Sequence, residues 1–192
     1  MKKIFYNFSR VFALVFITTM LTMAHSAKAT TWTLTDNMSS STIGNWSCWS
    51  GPYGSCKYIK GETWAFDTNF LFTDFFKVFG SSGWSDVGRP VTIPYIPQHS
   101  NQVVEWCKAQ TTVVYDPFSG TSNNTVQLEV IKADSWTYVT TTRKSFTHSW
   151  SSEKYLMSTA WFSAPAKDIF VRLGVIDRGA IAMNDLKVTC SY

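Results

Sequence analysis

The segment "NWSCWSGPYGSC", residues 45–56, places two tryptophans, a tyrosine and two cysteines around a Gly-Pro-Tyr-Gly turn. Strand alternation puts Trp46 and Cys48 on one side of the chain and Trp49 on the other. We therefore expect Trp46 in the core, and Trp49 and Tyr53 on a cross-linked hairpin. A rigid aromatic face suits the C–H face of a sugar ring and loses little rotamer entropy on binding. The alternative is that both rings pack beneath a neighbouring loop.

A second group of polar and aromatic residues lies in the longest irregular stretch, residues 80–101, which contains three prolines and three glycines. Aromatic rings beside amide, carboxylate and guanidinium groups are typical of polyol-recognition sites. The candidate ligand-binding residues here are Trp84, Asp86, Arg89 and Tyr95, and Gln127 is added from a later strand. The alternative is an ordinary surface loop held by its prolines.

Catalytic motifs are scarce. The chain has no G-x-S-x-G elbow, no H-E-x-x-H pair and no phosphate-binding glycine loop. A glycosidase needs only two suitably spaced carboxylates, and the 13 acidic residues leave that route open. The sequence therefore leaves enzymatic activity undecided and favours a non-catalytic role, with no required cofactor.

The cysteine count predicts disulfides. An even number of cysteines in an exported protein implies two bonds, with three possible connectivities. The favoured pairs are Cys48–Cys56, local across the turn, and Cys107–Cys190, which ties the last strand to the middle of the chain. A cysteine metal site is disfavoured because no C-x-x-C occurs.

The amino-terminal 29 residues have the pattern of a secretory signal peptide. Basic residues precede an apolar run, 11–24, and Ala27 and Ala29 fit an A-x-A cleavage site. The run is too short to span a bilayer comfortably. We therefore expect one mature domain, 30–192, exported to the periplasm or beyond the cell.

Export changes the charge balance. Four of the 17 basic residues and none of the 13 acidic residues lie in the predicted signal, so the mature chain has no net charge. A neutral surface without basic clusters disfavours nucleic acid and anionic membranes as partners. The remaining partner classes are carbohydrate and protein.

Strand patterns dominate after the signal, with β-branched and aromatic residues alternating between turn residues. The predicted strands are 31–35, 102–116, 125–133, 137–147, 169–177 and 181–192. In one of them, Val126, Leu128 and Val130 point inward against Gln127 and Glu129. Segment 70–80 has phenylalanines at helical spacing, but a strand–turn–strand is an equal alternative. The fold class predicted is a single all-β sandwich.

The motifs "SAP", "IFVRLGV" and "RGAIAMNDLKV" near the carboxyl end, with "LTDNMSSSTIGNW" at 34–46, resemble a known family. They are similar to galactose-binding-like jelly rolls, especially the carbohydrate-binding modules of secreted glycosidases. The sequence departs from that pattern at "ND", where the family more often has two acidic residues. A jelly roll hosts many functions, so the resemblance supports the fold more than an activity.

The resemblance implies a lectin-like protein that binds sugars on the concave sheet face or on edge loops. It also implies a structural calcium where the first and last strands meet, with Asp36 and Asp185 as its matching acids. The alternative reading of those acids is solvated strand-end carboxylates. The alternative function is a secreted interaction protein, such as an adhesin, toxin component or matrix protein, whose aromatics bind protein.

Overall fold

Strands make up most of the described part of the chain. The computed structural model describes residues 31–39, 41–65, 71–80, 84–94, 106–116, 124–146, 153–163, 168–176 and 179–191. Within these ranges the helical structure is a 3-10 turn, Ile43–Asn45. They all belong to the unit Thr31–Tyr192, so the predicted signal peptide lies outside the described residues. No helix of the described residues is long and apolar enough to cross a membrane.

Two antiparallel sheets form the sandwich. The seven-stranded sheet contains β1 (Thr31–Asp36), β3 (Ser55–Ala65), β4 (Leu71–Gly80), β6 (Trp106–Asp116), β9 (Glu153–Ser158), β11 (Gly179–Met183) and β12 (Leu186–Ser191). Its order is β1-β12-β6-β11-β4-β3, and β9 pairs with β6 outside that path. The five-stranded sheet contains β2 (Ser47–Ser50), β5 (Trp84–Thr92), β7 (Asn124–Lys132), β8 (Tyr138–Phe146) and β10 (Asp168–Ile176). Its order is β2-β5-β10-β7-β8. The prediction of an all-β jelly-roll sandwich is confirmed.

The core lies between the sheets and follows the alternation of the strands. The predicted inward set Val126, Leu128 and Val130 is fully buried. So are the inward residues of the last strand, Leu186, Val188 and Cys190. Across the interface, Tyr115 of β6 stacks on Phe146 of β8, with ring centroids 4.8 Å apart. Aromatic and branched side chains from both sheets therefore close one core.

The described part of segment 70–80 is a single strand, β4 (Leu71–Gly80), rather than a helix or two strands. It pairs with β3 on one edge and with β11 on the other. The adjacent residues Phe75 and Phe76 point to opposite faces, and both are buried. Phe76 belongs to the main core, whereas Phe75 belongs to a small separate cluster with Val114 and Ala182. Apolar residues on both faces of one strand produced the apparent helical spacing.

Both favoured disulfides are present, Cys48–Cys56 and Cys107–Cys190. Cys107 and Cys190 lie directly opposite each other on β6 and β12. Cys48 and Cys56 join different sheets, because β2 pairs with β5 whereas β3 pairs with β4. The expectation of a cross-linked hairpin at 45–56 is therefore wrong. The turn crosses from one sheet to the other, and the disulfide ties the two layers together.

Candidate functional site

The outer face of the five-stranded sheet gathers polar residues from four strands. Directly opposed residues of antiparallel strands share a face, so the pairing register defines rows across the sheet. One row is Trp49, Asp86, Gly174, Gln127 and Arg143. The next row contains Gly88, Arg172 and Glu129. These side chains point away from the core.

A cleft of about 420 Å³ opens on this face. Its lining includes Trp84, Asp86, Gln127, Glu129, Tyr138 and Arg172. Gly174 keeps the floor open, because a Cβ atom there would lie 2.9 Å from the Cβ of Asp86 and 3.1 Å from the carbonyl oxygen of Ser85. Any larger residue at 174 would push Asp86 aside.

Hydrogen bonds link the polar side chains into a chain across the cleft. Arg143 Nε donates to Gln127 Oε1, and Gln127 Nε2 donates to Glu129 Oε1. Arg172 Nε donates to Glu129 Oε2 at 2.7 Å. At the far end, Arg172 Nη1 lies 3.4 Å from Asp86 Oδ2. The Arg172 guanidinium therefore pairs closely with one carboxylate and loosely with the other.

Asp86 is the least satisfied member of this chain. It retains 5% of its accessible surface, and its Oδ1 has no hydrogen-bond partner among the described residues. Burial raises the pKa of Asp86 to about 6, with the Arg172 charge opposing the rise and the Glu129 charge adding to it. The carboxyl group therefore has an unmet capacity to accept a hydrogen bond.

Exposed aromatic rings stand around the polar chain. Trp84 and Tyr138 line the cleft and are 52% and 65% exposed. Trp49 packs edge-on against Phe170, with ring centroids 5.4 Å apart. Trp136 lies 5.5 Å from the same Phe170 ring. The face therefore presents aromatic surface on both sides of its hydrogen-bonding groups.

Trp136 occupies an unusual backbone conformation. It lies in the turn between β7 and β8 with a φ of 54°, in the left-handed region that bulky residues rarely adopt. Its amide donates to the carbonyl of Lys132 at 3.0 Å. The side chain is nevertheless 58% exposed. Strain of this kind, combined with exposure of a large ring, is common at binding sites.

The structure groups some predicted residues and separates others. Trp84, Asp86 and Gln127 line one cleft. Trp49 lies in the same row as Asp86, half-buried against Phe170. Tyr53 is exposed in the turn between the sheets and does not line that cleft. Tyr95 lies outside the described residues.

Arg89 does not join the predicted group. It is an odd number of residues from Asp86 on β5, so its side chain points to the opposite face of the sheet. There Arg89 forms an ion pair with Asp36. The grouping of Arg89 with Asp86 expected from the sequence is therefore corrected by strand alternation.

Asp36 is surrounded by donors. Its carboxylate accepts hydrogen bonds from the Met38 amide at 2.8 Å, the Thr42 hydroxyl at 2.7 Å and the Trp46 indole at 3.0 Å, besides the Arg89 ion pair. Burial raises the pKa of Asp36, but these hydrogen bonds and the Arg89 charge outweigh burial and hold the pKa below its usual value. A calcium ion at this carboxylate would have to displace the Arg89 guanidinium.

Asp185 is likewise occupied. It accepts hydrogen bonds from the Thr112 amide at 2.5 Å and the Thr112 hydroxyl at 3.0 Å. Among the described residues, no group of three or more His, Cys, Asp or Glu side chains is close enough to hold a metal. Calcium binding by Asp36 and Asp185 stays a prediction, which a chelator tests.

The cleft also contains polar and aromatic residues that were not among the predicted site residues: Glu129, Arg172 and Tyr138. Trp136, also not predicted, lies outside the cleft lining beside Phe170. Glu129 faces away from the core as alternation predicts, yet it is buried because Arg172 and Gln127 enclose it. One signal for Arg172 was present, since it is the single charge inside the apolar segment 169–176. A charge at the centre of such a strand indicates a partnered position rather than open solvent.

Comparisons with known proteins bear on the fold. Neither a scan of family models nor a search of curated proteins found a match. The CBM22-1 xylan-binding domain from Paenibacillus barcinonensis Xyn10C superposes with a TM-score of 0.51 at 11% identity, covering 82% of this chain and 92% of that one. The xylan-binding module CBM15 gives a TM-score of 0.50 at 11% identity, covering 83% and 97%.

An arabinose-bound α-L-arabinofuranosidase, MgGH51, also superposes, with a TM-score of 0.51 at 8% identity. The match covers 79% of this chain, which spans about a quarter (24%) of that enzyme's length. At these identities the likeness concerns architecture alone. The chain has the jelly-roll fold of carbohydrate-binding modules, as the sequence motifs predicted.

Proposed function

We propose that this chain is a secreted, non-catalytic carbohydrate-binding protein whose ligand lies in the cleft of the five-stranded sheet. The observation that carries the proposal is the position of exposed rings, Trp84 and Tyr138, beside a buried chain of hydrogen-bonding groups. Sugar rings have apolar C–H faces and polar edges, and they match such a surface in both respects.

The cleft favours a carbohydrate over a protein partner. Protein-binding hot spots are enriched in aromatic and arginine anchors that fill desolvated pockets, and charged residues are depleted at their cores. Here two carboxylates, Asp86 and Glu129, lie at the centre of the face. Hydroxyl groups of a sugar donate and accept hydrogen bonds in small numbers and at close spacing, which suits these acceptors.

Two further observations support the same proposal. Disulfides persist in oxidising compartments, which agrees with the signal peptide predicted from the sequence. Two solved structures with this fold, CBM22-1 and CBM15, bind xylan. We infer that the mature protein acts outside the cytoplasm.

A glycan panel tests the proposal. The mature protein is screened against soluble oligosaccharides with calcium and with chelator, and hits are titrated by calorimetry. Trp84→Ala should weaken binding at least about tenfold, because a lost stacking face is worth about 1.4 kcal/mol or more. Trp161→Ala is the matched control, since Trp161 is 49% exposed but does not line the cleft. Equal losses in the two variants would contradict the cleft as the binding site.

The interaction-protein alternative gives a different result. It predicts no saturable binding of any oligosaccharide, together with oligomers that grow with protein concentration in sedimentation experiments. Trp84→Ala would then lower the oligomer fraction. That pair of results would replace the carbohydrate proposal.

A further inference from the structure

The cleft has an unequal charge balance, which bears on the class of sugar that it takes. Among its lining residues, the carboxylates of Asp86 and Glu129 face one guanidinium, that of Arg172. Arg143 is engaged through Gln127 and does not line the cleft. With both acids ionised, the described residues of the lining therefore carry one uncompensated negative charge.

Asp86 is the carboxylate that lacks a close positive partner. Glu129 accepts hydrogen bonds from both Gln127 and Arg172. Asp86 has one contact at 3.4 Å, and its Oδ1 is buried without a partner in the described part of the chain. A buried, unpaired carboxylate oxygen costs free energy, which a ligand donor would recover on binding.

We propose that the cleft selects an amino sugar, whose ammonium group donates a hydrogen bond to the Asp86 carboxylate. This inference rests on the proposed carbohydrate-binding function and deepens it. An ammonium group supplies both the missing charge and the missing donor, whereas a neutral hydroxyl supplies only the donor. Asp86 lines the cleft, so a ligand bound there is adjacent to its carboxylate.

The neighbouring rings suit a cationic sugar. Trp84 is two residues before Asp86 on β5, so its ring lies on the same face about 7 Å further along the strand. The negative face of an indole or phenol ring attracts a cation placed above it. A ring stacked on Trp84 or Tyr138 therefore keeps its ammonium group near aromatic faces as well as Asp86. An acidic sugar would instead bring a carboxylate toward two others.

Calorimetric titration of the mature protein with two matched oligosaccharides tests the inference. The first is a β-1,4-linked glucosamine oligomer, and the second is the N-acetylated oligomer of the same length and linkage. The measurement is made at a pH just above the pKa of Asp86. We expect the amine to bind at least about tenfold more tightly, as one charge-assisted hydrogen bond can provide.

Asp86→Asn should remove most of that preference, because the amide keeps the shape but not the charge. Asp168→Asn is the control: this exposed acid lies on β10, six residues and about 20 Å from the Gly174 row. It removes the same charge from the protein and should leave the preference intact. Equal losses in both variants would mean general attraction of a polycation and would overturn the inference.

The comparison of the two oligosaccharides on the wild-type protein tests the inference even if a variant fails to fold. Equal or tighter binding of the N-acetylated oligomer, or of other neutral oligosaccharides in the panel, would overturn the amino-sugar inference and leave the proposed function standing. Absence of binding by every oligosaccharide, charged and neutral, would overturn both.

Discussion

Two buried aspartates, each facing an arginine, have pKa values shifted in opposite directions. Asp36 accepts hydrogen bonds from three donors besides its ion pair with Arg89, and its pKa lies below the usual value. Asp86 has a single contact with Arg172 at 3.4 Å, and its pKa is raised to about 6. Burial raises the pKa at both sites, so the number of donors decides the outcome.

The difference separates a structural site from a binding site. The Asp36–Arg89 pair joins β1 of the seven-stranded sheet to β5 of the five-stranded sheet, so its full complement of donors holds the layers together. Asp86 lies in an open cleft, where an unmet acceptor destabilises the free protein and is available to a ligand. A site with an unmet hydrogen-bond acceptor lowers the stability of the free protein, but the acceptor is available to bind a ligand.

The largest effect is expected from Asp36→Ala. Removal of this carboxylate leaves the Arg89 guanidinium in a mostly buried position without its ion-pair partner and frees three donors. Loss of one partner of a buried pair typically costs about 3–5 kcal/mol in the free energy of unfolding. Urea denaturation measures the loss. Asp86→Asn should cost far less under the same conditions, and equal losses would remove the distinction between the two sites.

The pH dependence of stability should have a component from Asp86. Its pKa is raised by burial, with Arg172 opposing and Glu129 adding, from 3.8 to about 6. The folded protein therefore binds more protons than the unfolded chain between those values, and stability falls as pH rises through that window. The full fall is about 3 kcal/mol. Urea titrations at a series of pH values measure it.

Asp36 should act with the opposite sign in a lower window. Because its folded pKa lies below 3.8, its stabilisation is complete above that value and is lost as pH falls through the folded pKa. Asp86→Asn should abolish the fall in stability between about pH 4 and 6. It should leave unchanged the loss of stability at lower pH, which comes from Asp36. A fall that persists in Asp86→Asn would assign the proton uptake to another group.

The smallest change in stability is expected from Trp136→Gly. Glycine adopts a φ of 54° without the cost of about 1–2 kcal/mol that other residues bear there. That gain offsets the lost contact with Phe170, which is worth about 1 kcal/mol. The free energy of unfolding should therefore change by less than about 1 kcal/mol. An oligosaccharide longer than the cleft would also reach the exposed Trp136 ring beside Phe170, so affinity for a long oligosaccharide should fall.

Trp161→Gly is the matched control for that variant. Positive φ values at non-glycine residues of the described chain occur at Met38 and Trp136, so Trp161 has no such strain to release. Its replacement by glycine should lower stability and leave sugar affinity unchanged. A clear loss of stability in Trp136→Gly, with sugar affinity retained, would make Trp136 a packing residue.

Local pattern predicted much of this fold. Period-2 alternation located β7 and β10 and assigned Val126, Leu128 and Val130 to the core, because each strand records its own buried face in its sequence. Cysteine count and spacing predicted both disulfides. The same alternation places Arg89 and Asp86 on opposite faces, because they are three residues apart on β5.

The assignment of strands to sheets came only from the tertiary structure. Spacing within 45–56 predicted a hairpin, yet β2 pairs with the distant strand β5, β3 pairs with β4, and the two strands belong to different layers. The cleft likewise depends on long-range pairing, since Arg172 and Glu129 are 43 residues apart and meet because β10 lies beside β7.

The sequence by itself therefore determined several strands and their buried faces and favoured the disulfide pairing that the structure contains, because these depend on neighbours close in the chain or on a few cysteines. The tertiary structure decided which polar residues share a face and how many donors each carboxylate receives. Those quantities depend on strand order and register, which bring together residues that no local pattern relates.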